Sequence, residues 1–217
     1  MSQEGALVVI IDDDRDIQEA LSGLVETVGL HSAVFSSADE FLLSKRANGP
    51  SCIVLDVRLP GSSGLEVQRQ LAQENIPTPI IFITGHGDIP MSVRAMKAGA
   101  AEFLTKPINN QEFLDAVQGA LKRDSLRLDA EREVAEFRAR HCLLTAREKQ
   151  IMALLVAGRA SKQIAGELEI SEVTVRLHRI QVMRKMQVRS LADLIRVADK
   201  IKPSWFFDAH PRTAPGR

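Results

Sequence analysis

Short β-rich runs alternate with amphipathic stretches through the first half of the chain. That alternation leaves few folds open, because it is the pattern of a parallel sheet built from βαβ units. The runs are Leu7 to Ile11, about His31 to Phe35, Cys52 to Leu55, Pro79 to Thr84 and Ala101 to Leu104. Between and after them come Asp16 to Val28, Ser37 to Ser44, Gly64 to Glu74, Ile89 to Ala98 and Asn110 to Leu121, each with apolar residues at three- and four-residue intervals. Most of the runs lack strict apolar and polar alternation, as expected of strands covered on both faces by helices. The expected fold of residues 1–121 is therefore α/β, a doubly wound (βα)5 sheet.

The full 217 residues leave room for a second domain, and the charge distribution calls for one. The net charge is zero, yet residues 1–121 hold 16 acids against 8 bases, while residues 143–202 hold 12 bases against 6 acids. An acidic module joined to a nucleic-acid-binding one would give this segregation, although a solvated basic face on an ordinary helical domain would too. No apolar run approaches the roughly 20 residues that span a bilayer, and the start, Met-Ser-Gln-Glu-Gly, lacks the regions of a signal peptide. A cytoplasmic protein without a membrane partner is expected. Cys52 and Cys142 are far apart and the five histidines are scattered, so neither a disulfide frame nor a zinc site is supported.

In a parallel α/β sheet, chemistry collects outside the carboxyl ends of the strands, beside the point where strand order reverses. The first run leads into Asp12, Asp13 and Asp14, the third into Asp56, the fourth ends at Thr84, and the fifth leads to Lys106. Each residue alone has an ordinary explanation, a helix cap for the acids and a surface position for the lysine. Their joint placement at successive strand ends is what points to a site. Carboxylates 4 Å apart repel by about 4 kcal/mol at an effective dielectric near 20, so they need a cation. Mg²⁺, a hard ion that binds carboxylates together with phosphate, is the natural candidate. An ionised Asp needs no general base to act as a nucleophile, which suits Asp56 as a phosphoryl acceptor. Lys106 would hold a phosphoryl oxygen as a point charge, and the Thr84 hydroxyl would donate to another.

The motifs Ile11-Asp12-Asp13-Asp14, Leu55-Asp56-Val57-Arg58-Leu59-Pro60-Gly61, Ile83-Thr84-Gly85-His86-Gly87 and Phe103-Leu104-Thr105-Lys106-Pro107 resemble the receiver domains of two-component response regulators. The resemblance implies that Asp12 and Asp13 position Mg²⁺, that the backbone carbonyl of Arg58 completes the metal shell, and that a sensor histidine kinase phosphorylates Asp56. It also implies a cis Lys106-Pro107 peptide. The aromatic switch position holds Phe103 in place of the commoner Tyr, so burial of the ring must serve without a hydroxyl. Val93 and Lys97 are implied interface residues.

Residues 122–142 form a charged run, free of Gly and Pro up to Arg140, that favours a helical linker. Thr145-Ala-Arg-Glu148 has capping-box spacing and opens an all-α domain over residues 143–202, with helices at about 146–157, 162–168, 172–186 and 190–201. Residues 203–217 read as a frayed tail in which Trp205, Phe206 and Phe207 are available for docking. Ser161 to Leu168, the turn Glu169-Ile170-Ser171 and the helix from Glu172 form a helix-turn-helix.

Val175, Val182 and Met186 fall on one face of the second helix, and Val173, Arg176, Leu177, Ile180 and Arg184 on the other. Both faces carry apolar residues, so the period alone does not say which is core. The arginines favour the second face for the major groove, where guanidinium groups meet guanine edges or phosphates and aliphatic groups meet thymine methyls. Leu144 to Glu148, Lys162 to Ala165 and Thr174 to His178 resemble the LuxR/NarL-type DNA-binding domain, and the whole chain to about residue 202 resembles the FixJ-like branch of the NarL group. In that family the residues matching Arg176, Leu177 and Ile180 face bases, and some members have a basic residue where this chain has Ile180. Lys162, Thr174 and Arg179 are candidate phosphate contacts, with Arg184 also on the DNA side. Leu191, Leu194, Ile195, Ala198 and Ile201 form a stripe that either completes the core or makes a dimer contact, and Leu191, Leu194 and Ile195 are the dimer candidates.

The expected protein is thus not an enzyme but a phosphorylation-activated transcriptional regulator. Its partners would be double-stranded DNA, a sensor histidine kinase, a second copy of itself when phosphorylated, and RNA polymerase. In that account, phosphorylation of Asp56 draws Thr84 and Lys106 inward, lets Phe103 turn in, and reshapes the face of the fourth helix and fifth strand so that it dimerises. Two rivals remain: an aspartyl-phosphate hydrolase, which should carry an acid where Arg58 stands, and a receiver regulated by protein binding without phosphorylation.

Overall fold

The computed structural model describes residues 5–44, 49–85 and 89–201. Two motif residues, His86 and Gly87, and the tail with Trp205, Phe206 and Phe207 lie outside the described residues. The chain divides into two compact units, Met1–Asp129 and Ala130–Arg217.

In the first unit the strands are β1 (Leu7–Ile11), β2 (His31–Phe35), β3 (Ser51–Asp56), β4 (Arg58–Leu59), β5 (Ser62–Ser63), β6 (Ile80–Thr84) and β7 (Glu102–Thr105). Five of them form one parallel sheet in the order β2-β1-β3-β6-β7. The helices are α1 (Arg15–Thr27), α2 (Ala38–Leu43), α3 (Gly64–Gln73), α4 (Ile89–Lys97) and α5 (Asn110–Cys142). Apolar clusters cover both sides of the sheet. Val8, Ile10, Cys52, Val54, Ile81 and Ile83 pack against Leu21 and Val25 of α1 and Phe113 and Val117 of α5. Val9, Ile11, Ile53, Leu55, Ile80 and Phe82 pack against Phe41 of α2, Val67 and Leu71 of α3 and Ala95 of α4. Neighbouring residues of one strand thus enter opposite cores, which is why the strands read as unbroken apolar runs.

Two features depart from the sequence reading. A short antiparallel hairpin pairs Arg58 with Ser63 and Leu59 with Ser62, directly after Asp56. The expected helix at 110–121 and the expected helical linker at 122–142 are a single helix, α5, and its residues up to Asp129 belong to the first unit. The physical reason is a set of polar ties. Buried Asp124 accepts the Ser51 backbone amide and Arg123 Nη2 donates to the Ala101 carbonyl at 3.2 Å.

The second unit comprises α6 (Ala146–Val156), α7 (Ser161–Glu167), α8 (Glu172–Met186) and α9 (Leu191–Ile201), with Phe137 of α5 in its core. Met152, Val182, Met186, Leu194 and Ala198 pack around Phe137, while Ile151, Leu154, Leu155, Ile164, Ala165 and Val175 form a second cluster. The apolar stripe of α9 is largely spent here. Leu194 is fully buried, so the dimer contact expected of it is not available, and Leu191 touches both clusters. Among the described residues, no helix is long and apolar enough to cross a membrane.

Candidate functional site

Strand order reverses between β1 and β3, the two central strands that run side by side with Ile11 opposite Leu55. One residue further on, their ends deliver Asp12 and Asp56 to the same edge. Lys106, which follows β7, reaches both: its Nζ lies 2.8 Å from Asp12 Oδ2 and 2.6 Å from Asp56 Oδ2. The lysine is set in place by its own backbone, whose amide donates to the Thr84 carbonyl at 2.8 Å, and the Lys106-Pro107 peptide is cis as expected. Thr84 is fully buried at the end of β6.

The other atoms of the two acids are also held. The Arg58 amide donates to Asp56 Oδ1 at 2.8 Å, and the Asp14 amide to Asp12 Oδ1 at 3.0 Å. Gln18, buried on α1, donates through Nε2 to the Asp12 carbonyl at 2.5 Å and to the Phe35 carbonyl at 3.3 Å. Sequence reasoning passed over this glutamine; its only signal is an amide on the face of α1 that faces the sheet. Gly64 was also missed as a site residue. A Cβ there would come within 2.5 Å of the Asp56 carbonyl oxygen, so only glycine lets α3 start this close to the acceptor strand. Phe103 is half-buried, with its ring centroid 6.3 Å from that of Phe82.

The electrostatics follow from burial. Burial pushes the Asp12 carboxyl above its ordinary value; the Lys106 hydrogen bond and charge and the Asp14 amide pull it back, and the Asp56 charge adds to the rise. For Lys106, burial is the largest single influence and lowers its pKa, but the hydrogen bonds and charges of Asp12 and Asp56 together outweigh it and hold the ammonium above the usual lysine value. Asp13 is exposed beside this cluster. Among the described residues, no three His, Cys, Asp or Glu side chains stand gathered as a metal-holding group. Lys106 gathers Asp12 and Asp56 and leaves Asp13 in solvent. A pair of buried carboxylates sharing one ammonium still fits Mg²⁺, which takes one or two carboxylates and completes its shell with water and phosphate.

In the second unit the ambiguity of α8 is resolved. Val175, Val182 and Met186 are buried, whereas Val173, Arg176, Leu177, Ile180 and Arg184 are exposed. Lys162 is exposed on α7, and Thr174 and Arg179 are half-buried on α8. Ser171 caps α8, its Oγ accepting the Thr174 amide at 3.1 Å. Two residues that sequence reasoning did not assign hold the motif together. Arg147 Nη2 donates to the Leu168 carbonyl at the end of α7 at 2.6 Å, and Lys185 Nζ of α8 lies 2.7 Å from Glu148 Oε2. Glu148 also accepts the Thr145 amide at 2.7 Å, completing the capping box that the spacing predicted.

These two sites define a class of protein, an α/β module with an acidic reaction edge followed by a helix-turn-helix module. The comparisons agree. Residues 8–118 match the response regulator receiver domain, and residues 143–198 match the bacterial regulatory proteins of the luxR family. Nodulation protein W of Bradyrhizobium diazoefficiens is 50% identical over 196 residues, covering 90% of this chain and 86% of that protein. The response regulator protein TodT of Pseudomonas putida is 46% identical over 204 residues, covering 94% and 90%. Among solved structures, the response regulator StyR superposes with a TM-score of 0.82 at 44% identity, covering 90% of this chain and 99% of that one. Full-length FixJ of B. japonicum gives a TM-score of 0.55 at 34% identity, covering 93% and 98%. The chain belongs to the response regulators that join a receiver domain to a LuxR-type DNA-binding domain, a family of transcriptional regulators.

Proposed function

We propose that Asp56 accepts a phosphoryl group from a sensor histidine kinase and that this step controls the binding of α8 to double-stranded DNA, and hence transcription. The observation that carries the reading is the double contact of Lys106 Nζ with Asp12 and Asp56 at the reversal point of the sheet. It puts a carboxylate nucleophile, a second acid and a fixed cation within one hydrogen-bond radius. A carboxylate oxygen of Asp56 attacks phosphorus, and the bond from phosphorus to the donor nitrogen breaks as the new oxygen to phosphorus bond forms. Lys106 then exchanges a carboxylate partner for a phosphoryl oxygen, and the Thr84 hydroxyl donates to another. Asp12, Asp13, Asp56 and the Arg58 backbone carbonyl would hold Mg²⁺, which when bound supplies charge neutralisation for the incoming group.

On the output side, Arg176, Leu177 and Ile180 face bases, with Lys162, Thr174, Arg179 and Arg184 toward the backbone. Exposed Val93 and Lys97 on α4 supply a contact between two phosphorylated copies, and Ile195 on α9 is half-buried and adds to it. RNA polymerase is a further partner once DNA is bound, and the work is done in the cytoplasm.

The test is intact-mass measurement after incubation with acetyl phosphate and Mg²⁺, paired with selection of bound sequences from random DNA. The wild type should gain one phosphate and bind its selected sites more tightly, and Asp56→Asn should gain none. Equal mass gain in Asp56→Asn would refute the acceptor assignment, and steady turnover of small phosphate esters would favour a hydrolase instead.

A further inference from the structure

Asp13 is exposed, whereas Asp12 beside it is 2% exposed. Packing therefore cannot orient Asp13, and the backbone on either side of it must. That backbone is fastened twice by one residue of α1. The Gln18 side chain donates through Nε2 to the Asp12 carbonyl at 2.5 Å, and the Gln18 main-chain amide donates to the Asp14 carbonyl at 3.0 Å. The first bond fixes the peptide plane that enters Asp13, and the second fixes the plane that leaves Asp14. The same side chain reaches across to β2, with Nε2 at 3.3 Å from the Phe35 carbonyl and 3.4 Å from Ser36 Oγ. The Phe35 carbonyl also accepts the Asp12 amide at 3.3 Å, so Asp12 is held through both its amide and its carbonyl. The main-chain bond of Gln18 is what any first turn of a helix provides; the side-chain bonds are not. Gln18, Leu21 and Val25 are the buried residues of α1, and the polar one of the three stands nearest the acids. A buried amide costs free energy unless its donors are used, and an aliphatic side chain would fill the same space without that cost.

Resting on the reading of the acidic edge as the Mg²⁺ and phosphoryl site, we propose that Gln18 is a positioning residue for the cation. Its side-chain amide holds the Asp12–Asp13 peptide, so that only the Asp13 side chain, and not its backbone, has to adjust when the metal arrives. The consequence is a higher affinity of the edge for Mg²⁺. This ion makes such a device valuable, because it demands near-octahedral oxygen geometry and gives up its water reluctantly. A carboxylate on a loose loop loses the freedom of that loop on binding and weakens the complex, whereas one on a fastened loop has less to lose. Groups that orient metal ligands from behind in this way contribute about ten- to hundredfold in metal affinity. Because Phe35 and Ser36 share the glutamine, the end of β2 belongs to the same device, although no acid of the edge lies on it.

The test measures Mg²⁺ binding directly, by calorimetric titration of the unphosphorylated full-length protein. Gln18→Met keeps the length of the side chain and removes both N–H donors, and Gln68→Met is its control. Gln68 is another buried glutamine of the same unit, and its Nε2 donates to the Ala95 and Ala98 carbonyls at the end of α4 that leads back into β7. Gln18→Met should need about tenfold more Mg²⁺ for half saturation, and Gln68→Met no more than the wild type. Phosphorylation by acetyl phosphate should divide in the same way: the Gln18→Met rate should reach the wild-type maximum once Mg²⁺ is raised about tenfold, which a loss of folded protein would not allow. A measurement on the wild type covers the case in which Gln18→Met does not fold. Coupling is reciprocal, so a clamp that favours Mg²⁺ is itself favoured by Mg²⁺, and hydrogen exchange of the Gln18 side-chain amide should slow about tenfold at saturating Mg²⁺. A Gln18→Met midpoint within a factor of about two of the wild type, or side-chain exchange that ignores Mg²⁺, would overturn the role of Gln18 and leave the acidic edge as assigned. A wild type that takes up neither Mg²⁺ nor phosphate would remove that assignment itself.

Discussion

Asp124 accepts the backbone amide of Ser51 at 2.8 Å, so a side chain on α5 satisfies the first residue of β3 from 73 positions away. Its carboxylate is buried and is steadied by Arg127, whose Nη2 lies 2.8 Å from Oδ1. The helix beyond residue 121 is therefore part of the sheet's support. A hydrogen bond to a charged group contributes about 1.5–3 kcal/mol, and leaving the Ser51 amide unsatisfied costs about as much. Asp124→Ala should lower the denaturation midpoint of the first unit accordingly, and a fragment ending at residue 121 should be less stable than one ending at residue 129. Equal urea midpoints for the two fragments would show that the tie contributes nothing.

Lys106 compensates two carboxylates at once, and Lys106→Met leaves both buried without their cation. Removing one partner of a buried pair costs about 3–5 kcal/mol, less where the acids can take up protons or a metal. The variant is expected to melt well below the wild type in chelator and to recover most of the loss in millimolar Mg²⁺, more than the wild type gains. A variant as stable as the wild type in chelator would mean that the ammonium is not what holds Asp12 and Asp56 together.

Asp12 carries a cost of its own, since burial raises its pKa and so disfavours the charged form in the folded protein. Asp12→Asn removes the charge and keeps the shape. The expected result is a protein more stable by about 0.5–2 kcal/mol near neutral pH, with reduced phosphorylation. The raised pKa makes the folded state bind the proton more tightly than the unfolded one, so the advantage of Asp12→Asn should shrink as pH falls through the raised folded value and be gone below the ordinary aspartate value. Melting curves of both proteins across the acid range measure it.

Gly64 is expected to reject even alanine, because the new Cβ would stand 2.5 Å from the Asp56 carbonyl oxygen and 3.1 Å from Phe82 Cε1. The backbone atom cannot swing aside as a side chain can. Gly64→Ala should lose about 1–3 kcal/mol and slow phosphorylation of Asp56 by displacing its strand end. Normal stability with normal phosphorylation would show that α3 shifts freely.

Glu148 sits where the capping box of α6 meets Lys185 of α8. Burial, the largest single influence, raises its pKa, but Lys185 and Thr145 together outweigh it and hold the carboxyl below the ordinary glutamate value. A depressed folded pKa means that the stabilisation is present above the unfolded value and is lost as pH falls through the folded one. Glu148→Gln should therefore flatten the acid limb of the second unit's stability curve below about pH 4.3 and cost about 1–2 kcal/mol at neutral pH. Unchanged acid unfolding in the variant would exclude Glu148 as the titrating group.

The sheet, the strand ends and the capped helices were legible because they depend on local pattern. Asp12, Asp56 and Lys106 could be named from sequence since a parallel sheet brings its strand ends to one edge whatever lies between. What pattern could not supply were contacts decided by packing. The role of Gln18 depends on a carbonyl across the α1 junction, and that of Gly64 on how near α3 lies to β3. Nor could a period choose between the two apolar faces of α8, since Leu177 and Val175 are equally aliphatic and only the surrounding helices distinguish them. Leu194 shows the converse. Its place in an apolar stripe fitted either an interface or a core, and in a small unit the core claims it.

The two thiols of the chain are chemically unequal. Cys52 lies within β3, and burial, reinforced by the Asp124 charge, pushes it up to about 12, whereas Cys142 at the end of α5 is exposed. A maleimide or a nitroxide reagent at neutral pH should thus mark one position and ignore the other, without any cysteine being engineered away. The native protein comes with a reporter handle beside its carboxyl-terminal module, from which the passage of a signal down the polypeptide can be followed in real time.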